Sequence, residues 1–153
     1  MLIIFDKDST LVESLGGRPA NSIHEHRLLP NVLEKCAALK AAGHQLGIAS
    51  NQGGVAFGYL SLDEARAIME HAASLINADF YTFCPAHPKG KVKAFAYESL
   101  YRKPNPGMIL DLAQRAGVQN VAEILFVGDL DTDQEAARRA GVKFEWAKDF
   151  FGF

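Results

Sequence analysis

An α/β fold, with a mainly parallel sheet and helices on both faces, is what this sequence predicts. Three observations carry the prediction. Short apolar runs alternate with helix-period segments along the whole chain, as strand–helix–strand units require. The first run, "LIIF", is continuously apolar, as expected of a strand buried on both faces. Turn and cap residues fall between the segments rather than inside them.

The elements follow in order. Residues 2–5 form the first strand. Residues 11–28 are polar and irregular, with "GGRP" marking turns. "PNVLEKCAALKAAG", 30–43, predicts a helix: Pro30 suits its first turn, Val32, Leu33, Cys36 and Leu39 share a face, and Gly43 suits its end. Residues 44–50 form the second strand. A helix over 61–76 opens with Ser61 and Glu64 at capping-box spacing. "ADFYTF", 78–83, is the third strand, and 105–117 the third helix, with Pro106 early and Gly117 at its end. "EILFVGD", 123–129, is the fourth strand. A helix over 132–141 and a short strand over 142–147 follow, and the tail "DFFGF" is expected to dock on the sheet edge. No linker, repeat or low-complexity tract divides the chain, so 1–153 is expected to be one domain.

Composition excludes some classes. The net charge of −2 argues against a general polyanion binder. No apolar run approaches a membrane span, and "MLIIFDKDST" lacks the form of a signal peptide. Two cysteines, Cys36 and Cys84, make no disulfide framework, and a reduced, cytoplasmic setting is the expectation.

The polar residues at the strand ends point to chemistry. Parallel α/β sheets bind ligands beyond the carboxyl ends of their strands. The first strand ends in Asp6 and Asp8, the second in Ser50 and Asn51, and the fourth in Asp129, with Asp133 one turn further on. Adjacent carboxylates repel one another unless a cation joins them. Several carboxylates at one rim suit a hard cation with oxygen ligands, and Mg²⁺ suits one whose shell a phosphate completes. Lys103 can reach the same rim, and Ser50 and Asn51 can donate to phosphate oxygens. The set describes phosphoryl transfer: carboxylate nucleophile, acid/base partner, metal and clamp.

"LIIFDKDSTL", "LGIASNQGG", "YRKPNPGM" and "ILFVGDLDTD" together resemble, in order and spacing, the four motifs of the haloacid dehalogenase superfamily of phosphohydrolases. The chain is most similar to its D-glycero-D-manno-heptose bisphosphate and histidinol-phosphate phosphatases. Polynucleotide 3′-phosphatases share parts of the pattern. The resemblance implies a Rossmann-like core without an inserted cap domain. It implies that Asp6 is the nucleophile that becomes an aspartyl-phosphate. Asp8 would protonate the leaving oxygen and then take a proton from water. Thr10 would hold the loop, and Ser50 and Lys103 would bind phosphate. Mg²⁺ would be held by Asp6, the main-chain carbonyl of Asp8 and Asp129, with Asp133 behind it or touching a metal-bound water.

The sequence also departs from its relatives. Heptose bisphosphate phosphatases often carry a zinc loop with a CxH and a CxC pair. Ala86, Ser99 and Tyr101 stand at three of those positions, leaving Cys84 with His87 one residue out of place. Tetrahedral zinc needs four ligands, so zinc is not expected. Phe57 stands where those relatives have arginine, and Ser9 where glycine is commoner. Ser9 is expected to fit if its φ is negative. Arg102 is either a surface charge or a substrate contact, and "HEH", 24–26, is expected to be a mobile flap.

The expected substrate is a small sugar phosphate or bisphosphate. An open site would also admit the end of a nucleic acid, for which Lys89, Lys91, Lys93, Arg102 and Lys103 speak; the acidic balance speaks against it. A phosphate-binding module without turnover is the third reading, disfavoured because nucleophile, acid and metal ligands all stand in place. No membrane partner is expected, and the chain is expected to be a monomer or weak dimer.

Overall fold

The computed structural model describes residues 1–153. Five parallel strands form one sheet in the order β3-β2-β1-β4-β5. They are β1 (Leu2–Phe5), β2 (Gln45–Asn51), β3 (Phe80–Cys84), β4 (Ile124–Gly128) and β5 (Lys143–Trp146). The helices are α1 (Val32–Ala41), α2 (Leu62–Ile76), α3 (Gly107–Ala116), α4 (Asp131–Ala140) and α5 (Ala147–Phe151). This is the Rossmann-like α/β architecture with helices on both faces. No segment forms a separate cap, and no helix is long and apolar enough to cross a membrane.

The two faces follow from the two-residue period of a strand. Ile3 and Phe5 point into one core with Val32 and Cys36 of α1, Met69 and Ala72 of α2, and Phe150 and Phe151 of α5. Leu2 and Ile4 point into the other, with Met108, Ile109 and Leu112 of α3 and Ala136 and Ala137 of α4. All four β1 side chains are buried, which explains why the run carries no alternation. The Ser61–Glu64 capping box opens α2 as its spacing predicts.

The C-terminal tail does not dock on an edge. It forms α5 and lays Phe150 and Phe151 on Phe5 of the central strand, with ring centroids 5.8 and 5.7 Å away. Asn31 Nδ2 donates to the Phe151 carbonyl at 3.0 Å, and Lys35 Nζ lies 3.8 Å from the Phe150 ring centre. The aromatic pair adds α5 to the core that α1 and α2 build on the same face of the sheet.

Strand order reverses at β1. The chain runs outward through β2 and β3, then crosses back to place β4 and β5 on the other side. The crevice at such a switch point is where this architecture binds ligands.

Candidate active site

The ends of β1, β2 and β4 and the start of α4 enclose a cavity of about 260 Å³. Asp6, Asp8, Ser50, Asn51, Lys103, Asp129 and Asp133 all line it. Seven of the eight residues that the sequence places at a site therefore converge. Arg102 does not join them; it is half-buried behind Gly53, and burial pushes its guanidinium below its ordinary value.

Lys103 is the centre of the arrangement. Its side chain is 97% covered, and its ammonium lies 2.8 Å from Asp6 Oδ1 and 2.7 Å from Asp133 Oδ1. It also donates to the Ala49 carbonyl at 3.0 Å. The contact with Asp133 Oδ1 is one of charge, without hydrogen-bond alignment. Burial works against the ammonium, but Asp6 and then Asp133 outweigh it and hold its pKa above the ordinary value. The backbone of Lys103 is fixed too: its N–H donates to Asn51 Oδ1 at 3.0 Å, and Asn51 Nδ2 donates to its carbonyl at 3.1 Å. The sequence puts Asn51 on phosphate. The structure places Asn51 at the cavity and uses both ends of its side-chain amide to hold the Lys103 backbone.

Asp133 caps the turn that enters α4. Its Oδ2 accepts the N–H groups of Asp129 and Leu130, both at 3.1 Å. Gly128 makes this possible, since a Cβ there would stand 2.5 Å from the Asp133 Cβ. Thr10 Oγ1 donates to Asp129 Oδ1 at 3.3 Å, so the threonine expected to hold the loop reaches across to a proposed metal ligand.

The period of β1 continues past its end. Asp6 and Asp8 stay at the cavity, while Lys7 turns to the other side and is completely buried. Its ammonium donates to Asp8 Oδ1 at 2.7 Å and lies 3.5 Å from His26 Nε2. His26 in turn stacks on His71 of α2, with rings 5.0 Å apart and their Nδ1 atoms 2.7 Å apart. Burial, followed by the Lys7 charge, lowers the His26 pKa to about 4. The segment expected to be a mobile flap is thus tied to α2, and its Glu25 pairs with Arg18 at 2.7 Å.

Gln52 and Lys7 are functional-site residues that the sequence did not single out. Gln52 Nε2 donates to Ser50 Oγ at 2.9 Å and lies 3.5 Å from Asp8 Oδ2. Ser50 Oγ is thereby filled as an acceptor, and its own hydrogen has only a 3.4 Å contact to the Asn51 carbonyl. That hydrogen is available to an anion. Ser9 has φ of +64°, the left-handed region, so the condition under which a serine would fit there without strain is not met. Its hydroxyl pairs with that of Ser14, which helps hold the strained turn.

One carboxylate oxygen from each of Asp6, Asp129 and Asp133 lies within 4.8 Å of the others. Three acids here face one buried ammonium. Burial, then the hydrogen bond and charge of Asp6, push the Asp129 carboxyl up to about 8, and Asp133 adds to it. Burial also raises Asp133, against the pull of Lys103. Oxygen donors in excess of positive charge are the donor set of a divalent hard cation, and the residues present fit one.

Comparison with known proteins agrees with this geometry. Residues 1–151 match the family described as polynucleotide kinase 3 phosphatase. A D-glycero-beta-D-manno-heptose-1,7-bisphosphate 7-phosphatase from Rhodopseudomonas palustris is 37% identical over 121 residues, 76% of this chain and 67% of the relative. The chain thus spans about two thirds of the length of that relative. Among solved structures, D,D-heptose 1.7-bisphosphate phosphatase from B. bronchiseptica, complexed with magnesium and phosphate, has a TM-score of 0.79 at 30% identity. It covers 94% of this chain and 78% of its own. A had-like phosphatase from Mesorhizobium loti has a TM-score of 0.81 at 27% identity, over 92% of this chain and 68% of its own.

Proposed function

We propose, for a chain that belongs to the polynucleotide kinase 3 phosphatase family and to the haloacid dehalogenase superfamily of phosphatases, Mg²⁺-dependent hydrolysis of a sugar phosphate or bisphosphate through an aspartyl-phosphate. The observation that carries this reading is the buried Lys103 ammonium between Asp6 and Asp133, with Asp129 beside them. A nucleophilic carboxylate, a fixed cation for phosphate and a carboxylate metal cluster share one cavity. The heptose bisphosphate substrates of the relatives support the sugar class, and the magnesium and phosphate in the B. bronchiseptica structure support the metal.

The roles follow from position. Asp6 attacks phosphorus, and Lys103 and the Ser50 hydroxyl hold the phosphoryl oxygens. Asp8 gives a proton to the leaving oxygen and recovers one from the water that cleaves the aspartyl-phosphate. Lys7 and Gln52, each reaching one Asp8 oxygen, hold that carboxylate in place. Asn51 holds Lys103. Asp6, Asp129 and the Asp8 main-chain carbonyl would hold the metal, with Asp133 beside it. When bound, the metal supplies positive charge against phosphate and the carboxylates. We further propose that the chain carries no structural zinc: the Cys84 thiol contacts the Ala86 carbonyl at 3.8 Å, and His87 packs on Phe57.

A second reading, removal of a 3′-phosphate from a polynucleotide, has the family description behind it. The net charge of −2 weighs against it. A Mg²⁺-supplemented screen of sugar phosphates and 3′-phosphorylated oligonucleotides, repeated across salt, separates the two. Polynucleotide turnover would weaken steeply with salt through its binding step, and sugar phosphate turnover would not. Activity that survives exhaustive chelation would overturn the metal assignment.

A further inference from the structure

A second cavity, of about 540 Å³, opens beside the catalytic one. Pro19 lines both. Gln52 forms part of its wall, and the same side chain touches Ser50 and Asp8. The space therefore begins at the groups nearest the leaving oxygen in the proposed reaction.

Phe57 and Tyr59 form another part of the wall. Their rings stack with centroids 6.0 Å apart and planes at 23°, and Phe57 is backed by His87 at 5.0 Å. Tyr59 is 73% exposed, although its backbone is firmly held. Its N–H donates to the Gly54 carbonyl at 2.9 Å, and Gly58, with φ of +80°, makes the turn between the two aromatics. Val55 and Leu60 of the same segment fill a small core with Ala65 and Ile68. The segment anchors itself through those residues and leaves Phe57 half-buried and Tyr59 exposed. Asn21 and Gln52 offer amides, and the one cation, Arg18, is already paired with Glu25 at 2.7 Å.

From this juxtaposition we infer that the second cavity is the leaving-group subsite, and that it selects uncharged cyclic leaving groups whose ring face rests on Tyr59. The inference rests on the phosphatase reading above and names its substrate class more closely. A ring with apolar faces and a hydroxylated edge meets both features of the wall. Aromatic faces take ring C–H surface, and the amides take hydroxyls. An acyclic alcohol has no face to offer. A second phosphate finds no free cation in this cavity, so in a bisphosphate that group would lie outside it.

The test compares kcat/KM, with Mg²⁺, for a hexopyranose phosphate and glycerol phosphate in the wild type, Tyr59→Ala and Tyr59→Phe. p-Nitrophenyl phosphate, whose ring the subsite would also accept, reports only whether the preparation is an active phosphatase and does not enter the preference. The wild type is expected to prefer the ring substrate. Tyr59→Ala should lower that preference about three- to tenfold, mainly through KM, the scale of one lost aromatic contact. Tyr59→Phe keeps the ring and should keep the preference. Hydrolysis of p-nitrophenyl phosphate with no wild-type preference for the ring substrate, or a preference that survives Tyr59→Ala, overturns the subsite. Absence of Mg²⁺-dependent hydrolysis of all three substrates overturns the phosphatase reading itself.

Discussion

Lys103 Nζ lies 2.8 Å from Asp6 Oδ1, joining the loop before α3 to the end of β1 across 97 residues of sequence. The same ammonium is the one buried cation set against Asp6 and Asp133. Removing one partner of a buried ionic set leaves the rest uncompensated, at a cost of about 3–5 kcal/mol. Lys103→Met should therefore lower the thermal midpoint of the metal-free protein strongly and abolish turnover. Added Mg²⁺ should recover part of the stability, because the cation replaces the missing charge, and none of the turnover. Thermal melts with and without Mg²⁺ check this. A variant as stable as wild type without metal would refute it.

The acid cluster also sets a pH dependence. In the folded, metal-free protein Asp129 titrates at about 8, against an ordinary 3.8. Between those values the folded chain holds a proton that the unfolded chain has released. Stability then falls as pH rises, since it falls wherever the folded state binds more protons. Asp129 should accordingly destabilise the metal-free protein as pH rises from about 4 to 8. Up to about pH 6.5 the half-buried His26, which takes its proton only on unfolding, offsets that slope, so the net loss should fall between about pH 6.5 and pH 8. Saturating Mg²⁺ displaces the Asp129 proton, so the metal's stabilising effect should grow from about pH 4 to pH 8. Denaturant midpoints measured at several pH values, in EDTA and in Mg²⁺, read both slopes.

Asp8 gives a test of acid/base chemistry that is separate from metal binding. Asp8→Asn keeps the main-chain carbonyl but cannot shuttle a proton. Turnover of a sugar phosphate should fall roughly a hundredfold or more. Release of p-nitrophenol, which departs without a proton, should fall less in the first turnover. Equal losses for the two leaving groups in single-turnover measurements would remove Asp8 from that role.

Much of this was legible in the residues, for physical reasons. Continuous burial of Leu2 through Phe5 makes an unbroken apolar run, and the strand-end positions of Asp6, Ser50 and Asp129 put polar groups where a parallel sheet binds ligands. What escaped depends on contacts distant in sequence. Lys7, between two aspartates, has the look of a solvated lysine; only the continued strand period hints that it turns away from the cavity, and His26 and α2 must be in place to bury it. Asn51 has the chemistry of a phosphate ligand, and its partner, the Lys103 backbone, lies 52 residues away. The aromatic tail was expected on the sheet edge, and its partner on the face, Phe5, lies at the other end of the chain. Ser9 at φ +64° is a departure from local preference beside the nucleophile, where strain is commonly held.

The central claim is that Asp6 carries the phosphoryl group. The most direct measurement uses Asp8→Asn, in which loss of the base should slow breakdown of the intermediate. The variant is mixed with p-nitrophenyl phosphate and Mg²⁺, quenched in acid during the first turnover, and digested for mass spectrometry of the β1 peptide. The account predicts a phosphoryl adduct on Asp6, formed in step with p-nitrophenol release and absent from Asp6→Asn under the same conditions. Stoichiometric p-nitrophenol release with no phosphorylated protein, or an adduct on a residue other than Asp6, would contradict it.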